Sequence, residues 1–301
     1  MTSVSSPTPS KARAWLMAAR PATLSAAVAP VLVGTAAAWR AGHFRALPFL
    51  AALVASLLIQ VGTNFANDYF DFKKGADTAA RLGPVRVTQS GLVSPSQVAR
   101  ATALAFGAAA LVGLYLVFVG GWPILLVGLA SIAAGILYTG GPYPLGYHGL
   151  GDIFVFVFFG VVAVTGTYYV QAGAISGAAV LASVPMGLLI TAILVANNVR
   201  DIDTDRLAGK RTMAVRMGRP WTRRYYALLV GLSYLAPPLL WLGGACSWLF
   251  WLPLLTIPFA YRLIRAVATR EDGPALIGVL KGTGLLQLAF GVLFSLGLLF
   301  P

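Results

Sequence analysis

Six uncharged, strongly apolar stretches dominate this sequence and exclude a water-soluble fold. They cover residues 21–39, 46–67, 101–151, 153–199, 225–261 and 282–301. Because about 20 residues of apolar helix cross the hydrocarbon core of a bilayer, each stretch can span it. With 58% hydrophobic and 10% charged residues, the chain has too little polar surface for soluble domains. The sequence therefore predicts an all-α integral membrane protein.

Three of these stretches are too long for a single crossing. Each has a helix-breaking run near its middle, at 120–123, 172–177 and 243–246. Dividing the stretches there gives nine transmembrane helices. We expect one polytopic membrane domain over residues 16–301, preceded by a disordered tail over residues 1–15.

The distribution of basic residues predicts the orientation. The chain has 22 Lys and Arg against 9 Asp and Glu, a net charge of +13 that would suggest nucleic-acid binding in a soluble protein. With nine crossings, all basic residues except Arg40 and Arg45 fall on the side of the N-terminus. Since basic residues concentrate on the cytoplasmic side, we predict an inner-membrane protein with its N-terminus in the cytoplasm, its C-terminus outside and no nucleic-acid partner. A cleaved signal peptide is the less favoured alternative, because residues 21–39 exceed the usual length of its apolar region.

Six of the nine acidic residues form two clusters at helix ends on the predicted cytoplasmic side. At about 100° per residue, one face of the second helix carries Asn64, Asn67, Asp68 and Asp71, and Asp77 follows. In the second cluster, Asn197, Asp201 and Asp205 share a face of the sixth helix, whereas Asp203 points away. A single cluster would fit a solvated helix end equally well. Two clusters favour a site, and oxygen ligands without His or Cys suit Mg²⁺ or Mn²⁺.

Basic residues are interleaved with both clusters, which points to a phosphorylated substrate. They are Lys73, Lys74, Arg81, Arg86, Arg200, Lys210 and Arg211. Carboxylates, a divalent cation and a cationic rim together suit a diphosphate. The repeated pattern also suggests two duplicated halves, about 20–140 and 150–265, with a last helix over 280–300. Such a duplication predicts that the clusters face each other across a central cavity.

The two acidic motifs resemble those of the UbiA-type membrane prenyltransferases. The first is similar to Asn-x-x-Asn-Asp-x-x-Asp followed by Lys-Gly-x-Asp, and the second runs from Asn197 to Thr212. Further similar segments lie at 20–24, 83–86, 138–141, 149–152 and 166–171. The resemblance covers the chain from the first helix to the turn after the sixth. It is closest to the branch that prenylates 1,4-dihydroxy-2-naphthoate.

The resemblance implies a membrane enzyme with a defined reaction and site. A polyprenyl diphosphate would donate its chain to 1,4-dihydroxy-2-naphthoate, with loss of diphosphate and CO₂, to give demethylmenaquinone. The implied Mg²⁺ ligands, with Mn²⁺ as a substitute, are Asp68, Asp71, Asp77, Asp201 and Asp205. The implied substrate-binding residues are Arg20, Asn64, Asn67, Lys73, Arg86, Asn197, Asn198, Arg200 and Lys210. Tyr138 is expected to stabilise the allylic cation with its ring face.

Two residues leave alternatives open. Many members of the family have a basic residue shortly after the tyrosine of the fourth helix, but none follows Tyr138 closely. We expect Arg86 or Lys210 to replace it. Asp152 fits a helix cap and a contact or base for the naphthoate hydroxyl about equally well.

Two other functions fit the same residues. The acceptor is alternatively another aromatic ring, of the 4-hydroxybenzoate or tetrapyrrole type. A divalent-cation transporter is the alternative from another class, because two acidic clusters in a helical bundle suit an ion path. The position of the carboxylates at helix ends, with no acids on the opposite side, argues against transport.

Overall fold

The fold is a bundle of helices. The computed structural model describes residues 9–76, 83 and 85–300, and every regular element within them is helical. The α-helices are α1 (Lys11–Ala19), α2 (Ser25–Arg40), α3 (Ala46–Lys73), α4 (Pro95–Gly120), α5 (Trp122–Leu137), α6 (Gly151–Val155), α7 (Ala163–Ala172), α8 (Gly177–Leu207), α9 (Met213–Ser233), α10 (Ala236–Leu242), α11 (Ile257–Thr269) and α12 (Gly273–Leu299). Short 3₁₀ segments cover Pro21–Thr23, Leu145–His148 and Trp248–Thr256, and a π-helical segment, Phe156–Val162, joins α6 to α7.

Seven helical segments in the described part of the chain are long and apolar enough to cross a membrane. They are Ala46–Lys73, Pro95–Gly120, Gly151–Ala172, Gly177–Leu207, Met213–Leu242, Trp248–Thr269 and Gly273–Leu299. Lys11–Thr23 and Ser25–Arg40, bent by 47° at their junction, add an eighth if the pair is one span. The apolar helix α5 is shorter, with 16 residues. The chain is therefore a multi-pass membrane protein, as its apolar stretches predicted.

Helix α8 forms the centre of the bundle and α4 its periphery. In the most apolar part of α8 67% of the residues are buried, against 22% in α4. Where α8 meets the π-helical segment, a Cβ on Gly160 would lie 2.5 Å from the Cα of Gly187. Small residues at this crossing let the two backbones approach closely. Helix α8 is thereby fixed in place, with its polar C-terminal turns at one end of the bundle.

The N-terminal segment differs from the prediction. Residues 11–15 are not a disordered tail, because they begin α1, whose first turn is capped by the Ser10 side chain. Ala14 and Ala18 are buried in this helix, and the Trp15 ring packs edge-on against Phe65 at 5.6 Å. The sequence did not predict these apolar contacts, because residues 1–11 are mostly polar. Residues 1–8 lie outside the described residues.

Two connecting segments close over the polar ends of α3 and α8. One is the turn over 138–150 between α5 and α6, and the other is the turn over 208–212 between α8 and α9. They are joined by a hydrogen bond from the Arg211 N–H to the Tyr147 carbonyl at 2.7 Å. Arg216 adds a bond from its Nη2 to the His148 carbonyl at 2.8 Å. The two turns thus bring residues from distant parts of the chain to one site.

Candidate active site

Two adjoining cavities lie inside the bundle. A polar cavity of about 230 Å³ is lined mainly by the ends of α3 and α8 and by the two turns that cover them. An apolar cavity of about 320 Å³ is lined mainly by α3, α4, α5 and the helix from α6 to α7. Thr63, Tyr138, Val155 and Phe159 line both cavities. A molecule with a charged head and an apolar tail would fit across this boundary.

Most of the predicted site residues line the polar cavity. These are Arg20, Asn64, Asn67, Asp71, Arg86, Tyr138, Asn197, Asn198, Asp201, Asp205 and Lys210. The lining does not include Asp68, Lys73, Asp152 or Arg200. Asp77, predicted as a metal ligand, lies outside the described residues. The structure therefore brings the two motifs to one cavity, as the duplicated pattern predicted.

Asp71 contacts three donor side chains in the cavity. Its Oδ2 accepts a hydrogen bond from Arg86 Nη2 at 2.8 Å, and its Oδ1 accepts one from the Tyr147 hydroxyl at 2.5 Å. Lys210 Nζ lies 3.6 Å from the same Oδ1. The side chain is almost fully buried, and an isolated buried carboxylate would be costly. These three donors compensate for the water that the buried carboxylate has lost.

Lys210 connects the two motifs. Besides its contact with Asp71, its Nζ lies 3.8 Å from Oδ1 of Asp205. The ammonium group also lies over the Tyr147 ring, 4.6 Å from the ring centroid. A single cation at the end of α8 therefore holds carboxylates from α3 and α8 together.

Arg200 binds Asp201 and does not line the cavity. Its Nε donates to Asp201 Oδ1 at 2.7 Å and its Nη2 donates to Oδ2 at 2.5 Å. Nη2 also donates to Asn197 Oδ1 at 2.8 Å. The fully buried guanidinium thus fixes both carboxylate oxygens. Arg200 is not among the residues that line the cavity, so its direct contact with the substrate stays a prediction.

Asp68 holds a loop and is not placed as a metal ligand. Its Oδ1 accepts the Thr88 N–H at 3.0 Å and its Oδ2 accepts the Val87 N–H at 3.3 Å. Both carboxylate oxygens are used, and the side chain is buried away from the cavity lining. Since Arg86 immediately precedes these two amides, Asp68 positions Arg86 against Asp71.

Asn64 shapes the junction between α1 and α2. Its Nδ2 donates to the Ala19 carbonyl at 2.9 Å and to Thr23 Oγ1 at 3.2 Å. Between these partners Arg20 has a positive φ of 52°, which is uncommon outside glycine. The Thr23 N–H and hydroxyl both donate to the Arg20 carbonyl, at 2.9 and 3.0 Å. Together these bonds hold a strained residue at the cavity wall.

Lys73 is exposed and remains outside the cavity. Its Nζ contacts the Tyr69 hydroxyl at 3.5 Å. Its neighbour Lys74 reaches the turn after α5, where its Nζ donates to the carbonyls of Thr139 and Gly141 at 2.9 and 3.0 Å. Lys74 therefore supplies a cation to the turn that has no basic residue of its own after Tyr138, a contact that the sequence did not predict.

Tyr138 lies at the boundary of the two cavities and remains a neutral phenol. Burial raises its pKa above the ordinary value, and the negative charges of Asp152, Asp71 and Asp205 raise it further. Asp152 is buried nearby, and its Oδ2 has no hydrogen-bond partner among the described residues. The N-cap of α6 is Leu150, with no side-chain cap bond, so the interpretation of Asp152 as a cap is wrong.

The oxygen ligands of the cavity suit a hard divalent cation. In this structure its carboxylates contact Lys and Arg side chains. Its metal-binding candidates are the carboxylates of Asp71, Asp201 and Asp205, with amide oxygens of asparagines beside them. Among the described residues, no three His, Cys, Asp or Glu side chains are close enough together to hold a metal ion. A metal bound in the cavity would share these carboxylate oxygens with Lys210, Arg86 or Arg200.

Tyr147 was missed by the sequence analysis. It lies in the 3₁₀ segment Leu145–His148, in a turn rich in glycine and proline, where residue spacing has no helical regularity to interpret. Only the folded turn places its hydroxyl on Asp71 and its ring under Lys210.

Comparison with known proteins gives a consistent result. A model of the UbiA prenyltransferase family matches residues 27–280. The 1,4-dihydroxy-2-naphthoate octaprenyltransferase of Escherichia coli strain K12 is 41% identical over 96% of this chain and 96% of its own length. The protein of the same name from Mycobacterium tuberculosis strain H37Rv is 42% identical over 92% of this chain and 94% of its own. A UbiA homolog from Archaeoglobus fulgidus, solved with DMAPP and Mg²⁺, has the same fold, with a TM-score of 0.67 and 13% identity over 93% of this chain and 99% of its own.

Proposed function

Because the chain belongs to the UbiA prenyltransferase family, we propose that it transfers a polyprenyl chain from polyprenyl diphosphate to 1,4-dihydroxy-2-naphthoate. A carbon–carbon bond forms at the ring carbon that carries the carboxylate. Diphosphate and CO₂ leave, and the product is the quinol form of demethylmenaquinone. The acceptor and an octaprenyl donor are supported by relatives aligned over almost the whole of both chains.

The observation that carries this proposal is the junction of the two cavities at Tyr138. The polar cavity offers Arg20, Arg86 and Lys210 to the diphosphate of the donor. The apolar cavity takes the prenyl chain and excludes water, which would otherwise quench an allylic cation. Tyr138, neutral and lining both, lies where the scissile carbon–oxygen bond would be, and its ring face suits a nearby carbocation.

We assign the bound metal to the polar cavity. Asp71, Asp201 and Asp205 would hold Mg²⁺, with Asp77 as a further candidate and Mn²⁺ as a substitute. When bound, the metal neutralises the charge of the departing diphosphate. Asn67, Asn197 and Asn198 supply neutral amides to the diphosphate, where further carboxylates would repel it.

Asp152 is proposed as the proton acceptor for a naphthoate hydroxyl. Its carboxylate is buried close enough to Tyr138 to raise the pKa of that phenol. Asp152 does not line either cavity, but its oxygen without a hydrogen-bond partner among the described residues leaves a place for a hydroxyl donor beside Tyr138. Removing this proton would increase the electron density of the ring carbon that attacks.

We further propose nine crossings, with the N-terminus and the site on the cytoplasmic face of the inner membrane. The seven long spans, the bent pair and α5 supply the nine helices. The basic residues of the sequence favour this orientation. A single domain with two related halves is consistent with the contact of Lys210 with Asp71 in one half and Asp205 in the other. A reporter fused after Pro301 should respond as an external one, and a cytoplasmic response would overturn this topology.

A product assay tests the proposed function. Membranes containing the protein are incubated with 1,4-dihydroxy-2-naphthoate, Mg²⁺ and polyprenyl diphosphates of several lengths, and the products are identified by mass spectrometry. We expect the quinol of demethylmenaquinone, which air oxidises to the quinone before detection, and no product in EDTA. A parallel incubation with 4-hydroxybenzoate checks the acceptor. Transfer to 4-hydroxybenzoate alone would contradict the naphthoate assignment, and full activity in EDTA would contradict the metal.

A further inference from the structure

We propose that Tyr147 is a positioning residue that prepares the polar cavity for the metal and for the diphosphate. The inference rests on the proposed function and adds a residue to it. Tyr147 is neither part of the acidic motifs nor charged. Its position at the cavity nevertheless lets one side chain control a carboxylate and a cation at the same time.

The hydroxyl group of Tyr147 binds the Asp71 carboxylate. It donates to Asp71 Oδ1 at 2.5 Å, the same oxygen that Lys210 approaches at 3.6 Å. The hydroxyl therefore occupies the nearer position on Oδ1, and the ammonium group is kept beyond direct hydrogen-bond distance.

The aromatic ring of Tyr147 contacts two lysine ammonium groups. Lys210 Nζ lies 4.6 Å and Lys74 Nζ lies 5.3 Å from the centroid of the Tyr147 ring. Both distances allow a cation–π attraction, which holds an ammonium group without neutralising it. A cation held in this way keeps its charge for an incoming diphosphate, whereas one in a tight ion pair would not.

The backbone of the turn fixes the side chain in this place. The Gly146 N–H donates to the Tyr138 carbonyl at 2.9 Å, and the Arg211 N–H donates to the Tyr147 carbonyl at 2.7 Å. A Cβ on Gly146 would lie 3.0 Å from the Tyr138 ring. The turn is thus anchored on both sides of Tyr147, and the ring has little freedom to leave the cavity.

Loss of the hydroxyl and loss of the ring should have separable effects. Without the hydroxyl, Lys210 can close on Asp71 Oδ1 and form a direct ion pair there. A divalent cation must then displace a stronger competitor, so metal affinity should fall. Without the ring, Lys210 loses the aromatic face that holds it at the cavity, so the diphosphate should also bind less well, whereas Lys74 keeps its two carbonyl partners.

Two substitutions separate these effects. Tyr147→Phe removes only the hydroxyl, and Tyr147→Leu removes both groups. Mn²⁺ binding to the purified protein, without donor or acceptor, is measured by electron paramagnetic resonance. The KM of the donor is measured at saturating metal. Tyr143→Leu is the matched control, because Tyr143 lies in the same turn, is exposed, stacks on His148 and does not line the cavity.

We expect Tyr147→Phe to raise the half-saturating Mn²⁺ concentration about fivefold and to leave the donor KM within about twofold. Tyr147→Leu should raise both, the donor KM by about tenfold. Tyr143→Leu should change neither. The inference is overturned if Tyr147→Phe leaves Mn²⁺ binding unchanged or tighter, if both Tyr147 variants have the same donor KM, or if Tyr143→Leu reproduces the shifts. Absence of any transfer by the unaltered protein would instead overturn the proposed function, and this inference with it.

Discussion

The Nζ of Lys210 lies 3.6 Å from Oδ1 of Asp71, although Asp71 belongs to the first acidic motif on α3 and Lys210 to the turn that follows α8. The contact shows how two carboxylate clusters can share one cavity without strong mutual repulsion. A cation between them offsets the like charges that face each other. The same cation lies where the diphosphate of the donor is proposed to bind, so its release from Asp71 and its capture of the donor are linked.

Replacing Lys210 should therefore weaken donor binding. Lys210→Met removes the charge and keeps most of the length of the side chain. We expect kcat/KM for the polyprenyl diphosphate to fall about 10- to 100-fold, the size expected for one charged hydrogen bond. Initial rates at saturating naphthoate measure the effect. Lys281→Met, an exposed change on α12, is the control, and equal rates for both variants would show that Lys210 does not contact the diphosphate.

Asp68 should behave as a structural carboxylate and not as a metal ligand. Asp68→Asn loses one of the bonds to the Val87 and Thr88 amides, at a cost of about 1–3 kcal/mol. We expect a melting temperature lower by a few degrees and a higher donor KM, because Arg86 loses its support. The half-saturating Mg²⁺ concentration should stay the same.

The surface pair of Asp203 with Arg219 supplies a control for that experiment. Asp203 is exposed, and Asp203→Asn should alter neither the melting temperature nor the donor KM. A large rise in the Mg²⁺ requirement of Asp68→Asn, without a change in melting temperature, would restore Asp68 to the metal site.

The sequence predicted which residues share a helix face, because that follows from the 100° turn per residue. Asn64, Asn67 and Asp71 do line one cavity, together with Asn197 and Asp201 from α8. The apolar stretches likewise predicted the positions of the helices, since burial in lipid leaves little choice of composition.

The partners of these residues could not be predicted, because they come from turns with no periodic pattern. Asp68 was predicted to be a metal ligand. Nothing in the sequence shows that its carboxylate accepts hydrogen bonds from the Val87 and Thr88 amides. Arg200 was assigned to the substrate, yet its nearest partner is Asp201, the next residue. Side-chain direction at a helix end depends on what packs there, and this is a tertiary property.

Asp152 should act in catalysis and not in folding. Asp152→Asn keeps the shape of the side chain and removes the proton acceptor. We expect kcat to fall about a hundredfold, within the usual range for loss of a general base. The melting temperature should not fall, since the Asp152 carboxylate has an oxygen without a hydrogen-bond partner among the described residues. An unchanged kcat would exclude Asp152 as the base.

The apolar cavity should set the length of chain that the protein accepts. Gly113 on α4 and Gly128 on α5 both line it, and a Cβ at either position would enter open space. Gly113→Leu or Gly128→Leu therefore fills part of the cavity, and the new Cβ meets no atom within 4 Å. For long donors kcat/KM should fall about tenfold or more, because several methylene groups of the prenyl chain can no longer be buried in the cavity. A short donor such as geranyl diphosphate should be affected little.

Gly107→Leu is the matched control for chain length. Gly107 lies on α4, its Cβ would also meet nothing within 4 Å, and it does not line the cavity. Competition between a short and a long donor in one reaction, read by mass spectrometry of the products, measures the preference directly. The ratio should shift towards the short product for the two cavity variants and stay unchanged for Gly107→Leu. An equal shift in all three would mean that the prenyl chain lies elsewhere, on the lipid-facing surface of α4.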